Sequence, residues 1–355
     1  MRVLVCGVKV PFDQGGAETL VETQCGELGR RGFTVDSLAL PFEWSDRVAL
    51  LRSSLLWRLV DLERTAAPRP DLVVATRFPS YLVRHPNKVV WLVHQHRQAY
   101  DLLGTRYSDF GDDARDQRVL ATIRAIDRRT LGEARALYTI SRNTAERLAR
   151  HNDLAAETLY PPPKLDGRHR AGEFGDYVLA VGRLDPIKRF DLLLRALAHV
   201  ATPVRARLVG VGPEREALAG LAQRLGVAER VELMGWRGDD ELLDLYAGAL
   251  AVFYAPFDED YGYVTVEAFK SGKPVVTAAD AGGVLEFVED GRSGFVCPPD
   301  APREIAARLD LLYRDRERAR ALGAAGRERV RAIGWDRVIE ALTGAPEAAA
   351  CVSPG

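Results

Sequence analysis

Along nearly the whole chain, short apolar runs rich in β-branched residues alternate with longer amphipathic stretches. A strand buried on both faces needs a continuous apolar run, and the helix that crosses back over it needs a single apolar stripe. That alternation is the signature of parallel strands joined by covering helices, so the expected fold class is α/β. Strands are expected at 3–6, 34–40, 72–75, 89–93 and 136–140, and again at 177–181, 206–209, 231–234, 251–254, 275–277 and 295–297. Between the two sets stands Tyr160-Pro161-Pro162-Pro163-Lys164. Three consecutive prolines forbid helix and favour a stiff extended segment. A length of 355 residues also exceeds what one core usually serves. The expected layout is a Rossmann-like unit over 1–160, a linker over 161–175 with a cleft beside it, a second Rossmann-like unit over 176–333, a terminal helix over 334–343, and an Ala-rich tail over 344–355 that frays.

Charge and cysteine usage narrow the function classes. Lys and Arg number 49 against 50 Asp and Glu, a balance that does not advertise nucleic-acid binding. Cys6, Cys25, Cys297 and Cys351 stand far apart, in neither a zinc pattern nor a disulfide framework. The opening strand lacks the long apolar region of a signal peptide, and nowhere do 18 apolar residues run together. A cytoplasmic location is therefore expected. One stretch leaves two readings open. Residues 47–62 read as a basic amphipathic helix carrying Trp57, which fits peripheral contact with an anionic membrane at its inner face. The favoured reading is a helix packing its leucines on the first sheet.

The densest signal is Pro256 to Val276, with Glu259 and Glu267 separated by seven residues. Gly262 between them lets the chain turn into a helix starting near Tyr263, whose amino end suits a phosphate. A carboxylate at Glu267 can accept hydrogen bonds from ribose hydroxyls, and Glu259 can do so from sugar hydroxyls. Taken alone, the pair favours the plainer reading, Glu267 as a complement to the helix dipole and Glu259 as a solvated loop charge; the surrounding motifs shift it. Upstream, Gly182-Arg183 and Lys188 follow a strand, placing a planar fork and a compact cation where phosphate oxygens can be gripped. Gly15-Gly16-Ala17-Glu18 opens the first helix. Ala281-Gly282-Gly283-Val284-Leu285-Glu286 looks like another helix-opening glycine loop or a plain turn. Asp258-Glu259-Asp260 spells a triplet that elsewhere holds a divalent metal; no metal site is expected here, because Arg183 and Lys188 can neutralise a diphosphate.

In order, Gly15-Gly16-x-Glu18, Gly182-Arg183 with Lys188, Gly210-Val-Gly212-Pro213, Glu259 to Glu267 running on to Ser-Gly-x-Pro-Val-Val, and Gly282-Gly283 with Glu286 resemble glycosyltransferase family 4 and its GT-B fold, across almost the whole chain. The resemblance implies two facing Rossmann-like domains with a cleft between them, an acceptor-side N-terminal domain and a C-terminal domain that binds a nucleotide sugar. It implies a retaining, metal-independent hexosyltransferase with no cofactor, using a UDP- or GDP-sugar donor and a glycan, lipid-linked or small-molecule hydroxyl acceptor. By motif position, Arg183 and Lys188 bind the diphosphate, Glu267 the ribose and Glu259 the hexose. Backbone at Gly235, Trp236 and Arg237 faces the base. The remaining donor contacts fall on Gly15, Gly16, Gly182, Gly212, Tyr261, Gly262, Tyr263 and Val264, with the two tyrosines adding bulk near the sugar. A histidine after the fourth strand faces the donor sugar in such enzymes; His94 is preferred here, with His96 as its competitor. The terminal helix, near Trp335 to Leu342, returns to the N-terminal domain.

Three alternatives share the fold reading. A nicotinamide-dependent oxidoreductase fits poorly, because the turn after the first strand lacks GxGxxG and no acidic residue closes the second strand. A sugar-nucleotide epimerase or a non-catalytic sugar-nucleotide binder would keep the same residues for binding.

Overall fold

The computed structural model describes residues 1–10, 15–43, 46–65 and 68–344. Two compact units result: Met1–Lys164 together with the chain from Gly334 onward, and Leu165–Ile333. Each contains one six-stranded parallel sheet.

In the N-terminal unit, strands β1 (Arg2–Lys9), β2 (Thr34–Pro41), β3 (Leu72–Ala75), β4 (Lys88–Leu92), β5 (Ala136–Thr139) and β6 (Glu157–Thr158) run in the order β2-β1-β3-β4-β5-β6. The central β3 and β4 are buried along their full length, as continuous apolar runs require, whereas edge strand β2 is half exposed. Helices α1 (Gly16–Arg30), α2 (Arg47–Leu59), α3 (Leu62–Thr65), α4 (Ala114–Leu131) and α5 (Arg142–Asn152) fill the crossovers. Asp46, Asp113 and Ser141 cap α2, α4 and α5 by accepting from first-turn backbone N–H groups. Val73, Val90, Leu92, Leu120, Ile123 and Trp57 share the core. The two-residue β6 has no counterpart among the expected strands, being too short and polar to show as an apolar run.

In the second unit, β7 (Tyr177–Val181), β8 (Arg205–Val209), β9 (Val231–Gly235), β10 (Ala251–Phe253), β11 (Val275–Ala278) and β12 (Gly294–Cys297) run β12-β11-β10-β7-β8-β9. Helices α6 (Phe190–Leu197), α7 (Arg215–Arg224), α8 (Asp239–Gly248), α9 (Tyr263–Lys270), α10 (Pro302–Arg314) and α11 (Arg316–Arg329) cover the sheet. From β7 the chain builds outward through β8 and β9, then returns to lay β10 on the other side of β7. The carboxyl ends of β7 and β10 therefore flank a topological switch point, where open α/β sheets take their ligands.

The linker expectation needs correction. The unit boundary falls between Lys164 and Leu165, Pro161 to Pro163 are buried, and the following residues are strapped onto the second unit. Asp166 pairs with Lys270 at 2.6 Å and Arg168 with Asp240 at 2.6 Å, while Lys273 Nζ donates to the carbonyls of Gly172 and Glu173. These partners are about 70 to 105 positions away in sequence, so no local pattern announces them. Helix α12 (Trp335–Thr343) belongs to the N-terminal unit: Trp335 meets Trp91 edge-on at 6.2 Å, Tyr138 donates to the Ala341 carbonyl at 3.2 Å, and Asp336 pairs with Arg31. Beyond Gly344, which ends α12 in a left-handed conformation, the tail expected to fray lies outside the described residues. Among those described, no helix is long and apolar enough to cross a membrane.

Candidate active site

The switch point of the second unit brings two of the sequence motifs into direct contact. After β7 the chain passes Gly182, Arg183 and Asp185 and turns once as a 3-10 helix, Pro186–Lys188. After β10 it enters Tyr254 and the acidic loop. Lys188 Nζ lies 2.5 Å from Glu259 Oε2 and donates to the Tyr254 hydroxyl at 3.2 Å. Burial pulls the Lys188 ammonium down, but the facing Glu259 carboxylate and Tyr254 outweigh it, and the net shift is upward. Lys188 is therefore a fixed, fully protonated cation. Arg183 sits one turn away, half exposed, with Nε 2.5 Å from Asp185.

Backbone pairing fixes the acidic loop. Asp258 N–H donates to the Asp280 carbonyl, Glu259 N–H to that of Ala281, and Gly283 N–H to that of Glu259. Gly282 stands at φ +60°, where a Cβ would lie 2.6 Å from the Glu259 carbonyl oxygen. The Gly282-Gly283 pair is thus the back wall of the Glu259 loop, and it opens a 3-10 turn, Gly283–Glu286, instead of the α-helix that was one of its two readings. Arg189, immediately after Lys188, is buried; it donates to the Ala255 and Pro256 carbonyls and grips both Asp280 oxygens at 2.6 and 2.8 Å.

Gly262 caps α9 at φ +93°, and a Cβ there would meet Val284 at 2.9 Å, so no other residue fits without strain. The first turn of α9 contains no acidic side chain, leaving its positive end available to an anion. The Gly15-Gly16 turn of the N-terminal unit differs: Glu18 reaches back to accept from Gly15 N–H at 3.0 Å and pairs with Arg77. A carboxylate already occupies that helix start.

On α9, Glu267 is half-buried, and its Oε2 accepts from the Tyr246 hydroxyl of α8 at 2.6 Å. Burial raises the Glu267 carboxyl, and the Tyr246 hydrogen bond draws it back down. Tyr261 departs from expectation. Its ring is buried edge-on between Tyr263 at 5.0 Å and Phe287 at 5.4 Å, so it belongs to the packing beneath the loop and adds no bulk to a pocket. Val264 is buried as well, whereas Tyr263 is half-buried. Gly182 and Gly212 lie in the loops after β7 and β8, and Gly235 ends β9 at φ +71°. Trp236 beyond it is 73% exposed, and Arg237 pairs with Glu241 at 2.9 Å.

His94 and His96 follow β4 in the N-terminal unit, and the structure separates them. His96 is buried, with the rings of Phe42, Phe78 and Phe110 around it, and burial lowers its pKa to about 3. It is a neutral core residue. His94 is half-buried with Nδ1 2.6 Å from the Gln95 carbonyl. Tyr246, Tyr254 and Arg189 are the site residues no motif marks; only the adjacency of Arg189 to Lys188 offers a local signal. Among the described residues, no cluster of His, Cys, Asp and Glu side chains is arranged to hold a metal.

Residues 164–329 match the family described as glycosyl transferases group 1. D-inositol 3-phosphate glycosyltransferases are similar: that of Thermobispora bispora is 33% identical over 237 residues, 61% of this chain and 55% of the relative, and that of Streptomyces bingchenggensis 34% over 177 residues, 46% and 38%. The match thus spans less than two thirds of either relative. Among solved structures, Anabaena HepE in complex with UDP and glucose superposes with a TM-score of 0.73 at 20% identity, over 97% of this chain and all of that one. Sucrose-phosphate synthase from Thermosynechococcus elongatus gives 0.76 at 19%, over 95% and 96%. At those identities the likeness shows the fold. The glycine-capped helix and the paired Lys188 and Glu259 all lie in the segment, residues 164–329, that is similar to the group 1 glycosyl transferases.

Proposed function

We propose that the protein transfers a hexose from a nucleoside-diphosphate sugar to a hydroxyl acceptor, with retention and without a metal in the transfer step. The observation that carries this is Lys188, held charged by Glu259 and Tyr254 at the switch point of the unit whose α9 presents an acid-free amino end. Lys188, Arg183 and α9 together offer a fixed positive field to a departing diphosphate, the part a divalent ion plays elsewhere. The anomeric C–O bond breaks first, giving an oxocarbenium-like centre. The acceptor oxygen then attacks from the face the diphosphate leaves, and its proton passes to a leaving phosphate oxygen. Glu259 accepts from the hexose hydroxyls, Glu267 from the ribose hydroxyls, and exposed Trp236 offers its face to the base. His94 and the Gly15-Gly16 turn are assigned to the donor on motif order alone. A uridine nucleotide is favoured by the solved structure of HepE with UDP-glucose. The acceptor is a hydroxyl compound, the class the inositol-phosphate enzymes name.

The test is a calorimetric and hydrolysis screen of UDP- and GDP-sugars in excess chelator, with an Arg183→Ala/Lys188→Ala control. One donor binding to the parent and not to the control is the expected result. Binding of a nicotinamide dinucleotide alone would sink the reading.

Tyr246 gives this reading a pH signature. Ribose binding needs Glu267 as carboxylate, so donor KM rises as pH falls toward the raised Glu267 pKa. Removing the Tyr246 hydroxyl takes away the interaction that lowers that pKa. Tyr246→Phe is expected to raise donor KM about tenfold, the worth of one hydrogen bond to a charged group, and to move the acid limb of the KM profile to higher pH. An unshifted limb would show that Tyr246 does not govern Glu267.

A further inference from the structure

Helix α2 carries large apolar side chains on its outer face as well as on its buried one. Its buried face contains Ser53 and Ser54 beside Ala49, Leu50 and Trp57. Val48, Leu55, Leu56 and Leu59 are instead exposed at 59%, 57%, 48% and 68%. Among the described residues these are four of the seven large hydrophobics on the surface, and no other helix has one. With Arg52 they repeat at helical spacing and form a single ridge. Trp57, which the sequence suggested as part of a lipid-facing surface, is in the core and takes no part.

Parallel to α2 and packed against it lies α4: Arg47 at the start of α2 pairs with Asp116 at the start of α4, and Arg58 at its end pairs with Glu133 just beyond α4. This neighbour is sorted by charge. Asp116 and Asp127, its two acidic residues, are buried, and all five arginines, Arg115, Arg118, Arg124, Arg128 and Arg129, are exposed. Three of these reach carboxylates, Arg115 to Asp46, Arg128 to Asp153 and Arg129 to Glu133, each across open surface. Such pairs exchange readily for other anions.

We propose that this face docks on an anionic lipid bilayer, the α2 ridge entering the headgroup boundary and the α4 arginines meeting lipid phosphates. The combination of an apolar ridge and an adjoining helix whose outer surface is rich in arginine is what an interfacial surface needs. A second copy of the chain fits less well. The ridge is a strip about 20 Å long and about 10 Å wide, well short of the roughly 800 Å² per partner of a stable interface, and a two-fold axis through it would bring two Arg52 side chains into one seam.

The experiment is flotation of the full chain with phosphatidylcholine vesicles, with and without phosphatidylglycerol, at low and high salt. Binding is expected only to the anionic vesicles and is weakened by salt. A Leu55→Gln/Leu56→Gln/Leu59→Gln variant, altered at exposed positions and checked by circular dichroism, is expected to lose at least about tenfold in partitioning. Arg118→Gln and Arg128→Gln are each expected to cost about fivefold. No flotation of the parent, equal flotation with neutral vesicles, or parent-like flotation of the leucine variant would each overturn the proposal. So would a dimer, seen by sedimentation velocity, that the leucine variant dissolves while the parent ignores vesicles.

Discussion

Lys188→Ala is expected to lower kcat/KM for sugar transfer by roughly 10²- to 10³-fold, the range seen when one preorganised donor to a developing anion is removed. The reason is geometric: the ammonium is held by Glu259 at 2.5 Å and by Tyr254 at 3.2 Å, so its charge is in place before the diphosphate departs and no side chain must reorganise. Its raised pKa keeps it protonated across the working range, so loss of activity at moderately alkaline pH would not come from this group. Truncation also leaves Glu259 facing an empty position, which adds a stability cost that has to be separated from catalysis. A Lys188→Met/Glu259→Gln variant removes both charges together. It is expected to regain thermal stability relative to Lys188→Ala while remaining as inactive. Recovery of transfer in that double variant would show that Lys188 serves only to balance Glu259, and the mechanism proposed for the leaving group would fall.

The contrast between Lys188 and its surroundings shows what a sequence of this kind discloses. Except for the two-residue β6, the strands of both sheets were legible, because a buried parallel strand must be an unbroken apolar run, and β3, β4 and β10 are buried at every position. Lys188, Glu259 and Glu267 were legible because each belongs to a local pattern anchored by a glycine whose backbone requirement is fixed. Their partners were not. Tyr254 and Tyr246 meet the site across 66 and 21 positions, and a tyrosine in such places reads as ordinary core. Tyr261 fails in the opposite direction: flanked by Asp260 and Gly262 it reads as a loop aromatic adding bulk near the sugar, yet it is packed against Phe287. Residues 165–175 read as linker because polar composition and glycine are all the sequence offers; the lysines and acids that strap them down lie in α8, α9 and the turn after α9.

Arg189 is the residue on which the site's geometry depends most, and Arg189→Leu is expected to destabilise the second unit by about 3–5 kcal/mol. Its guanidinium makes four hydrogen bonds, to the carbonyls of Ala255 and Pro256 and to both oxygens of Asp280. These tie the segment leaving β10 to the one leaving β11, the same two segments whose backbones pair from Asp258 to Gly283. Leucine would leave two carbonyls and the partly exposed Asp280 carboxylate without the buried guanidinium that serves them, and such unmet groups dominate the cost. For a unit of this size the loss corresponds to a fall of roughly 10–15 °C in its unfolding midpoint. Arg189→Lys restores charge without the planar fork that spans four acceptors and is expected to recover less than half of the loss. Because Lys188 immediately precedes Arg189, the arginine variants should also lose transfer activity at temperatures where they remain folded. A variant that unfolds several degrees early yet turns over normally would show that the Lys188–Glu259 contact is set by the Gly282-Gly283 wall and needs no clamp behind it.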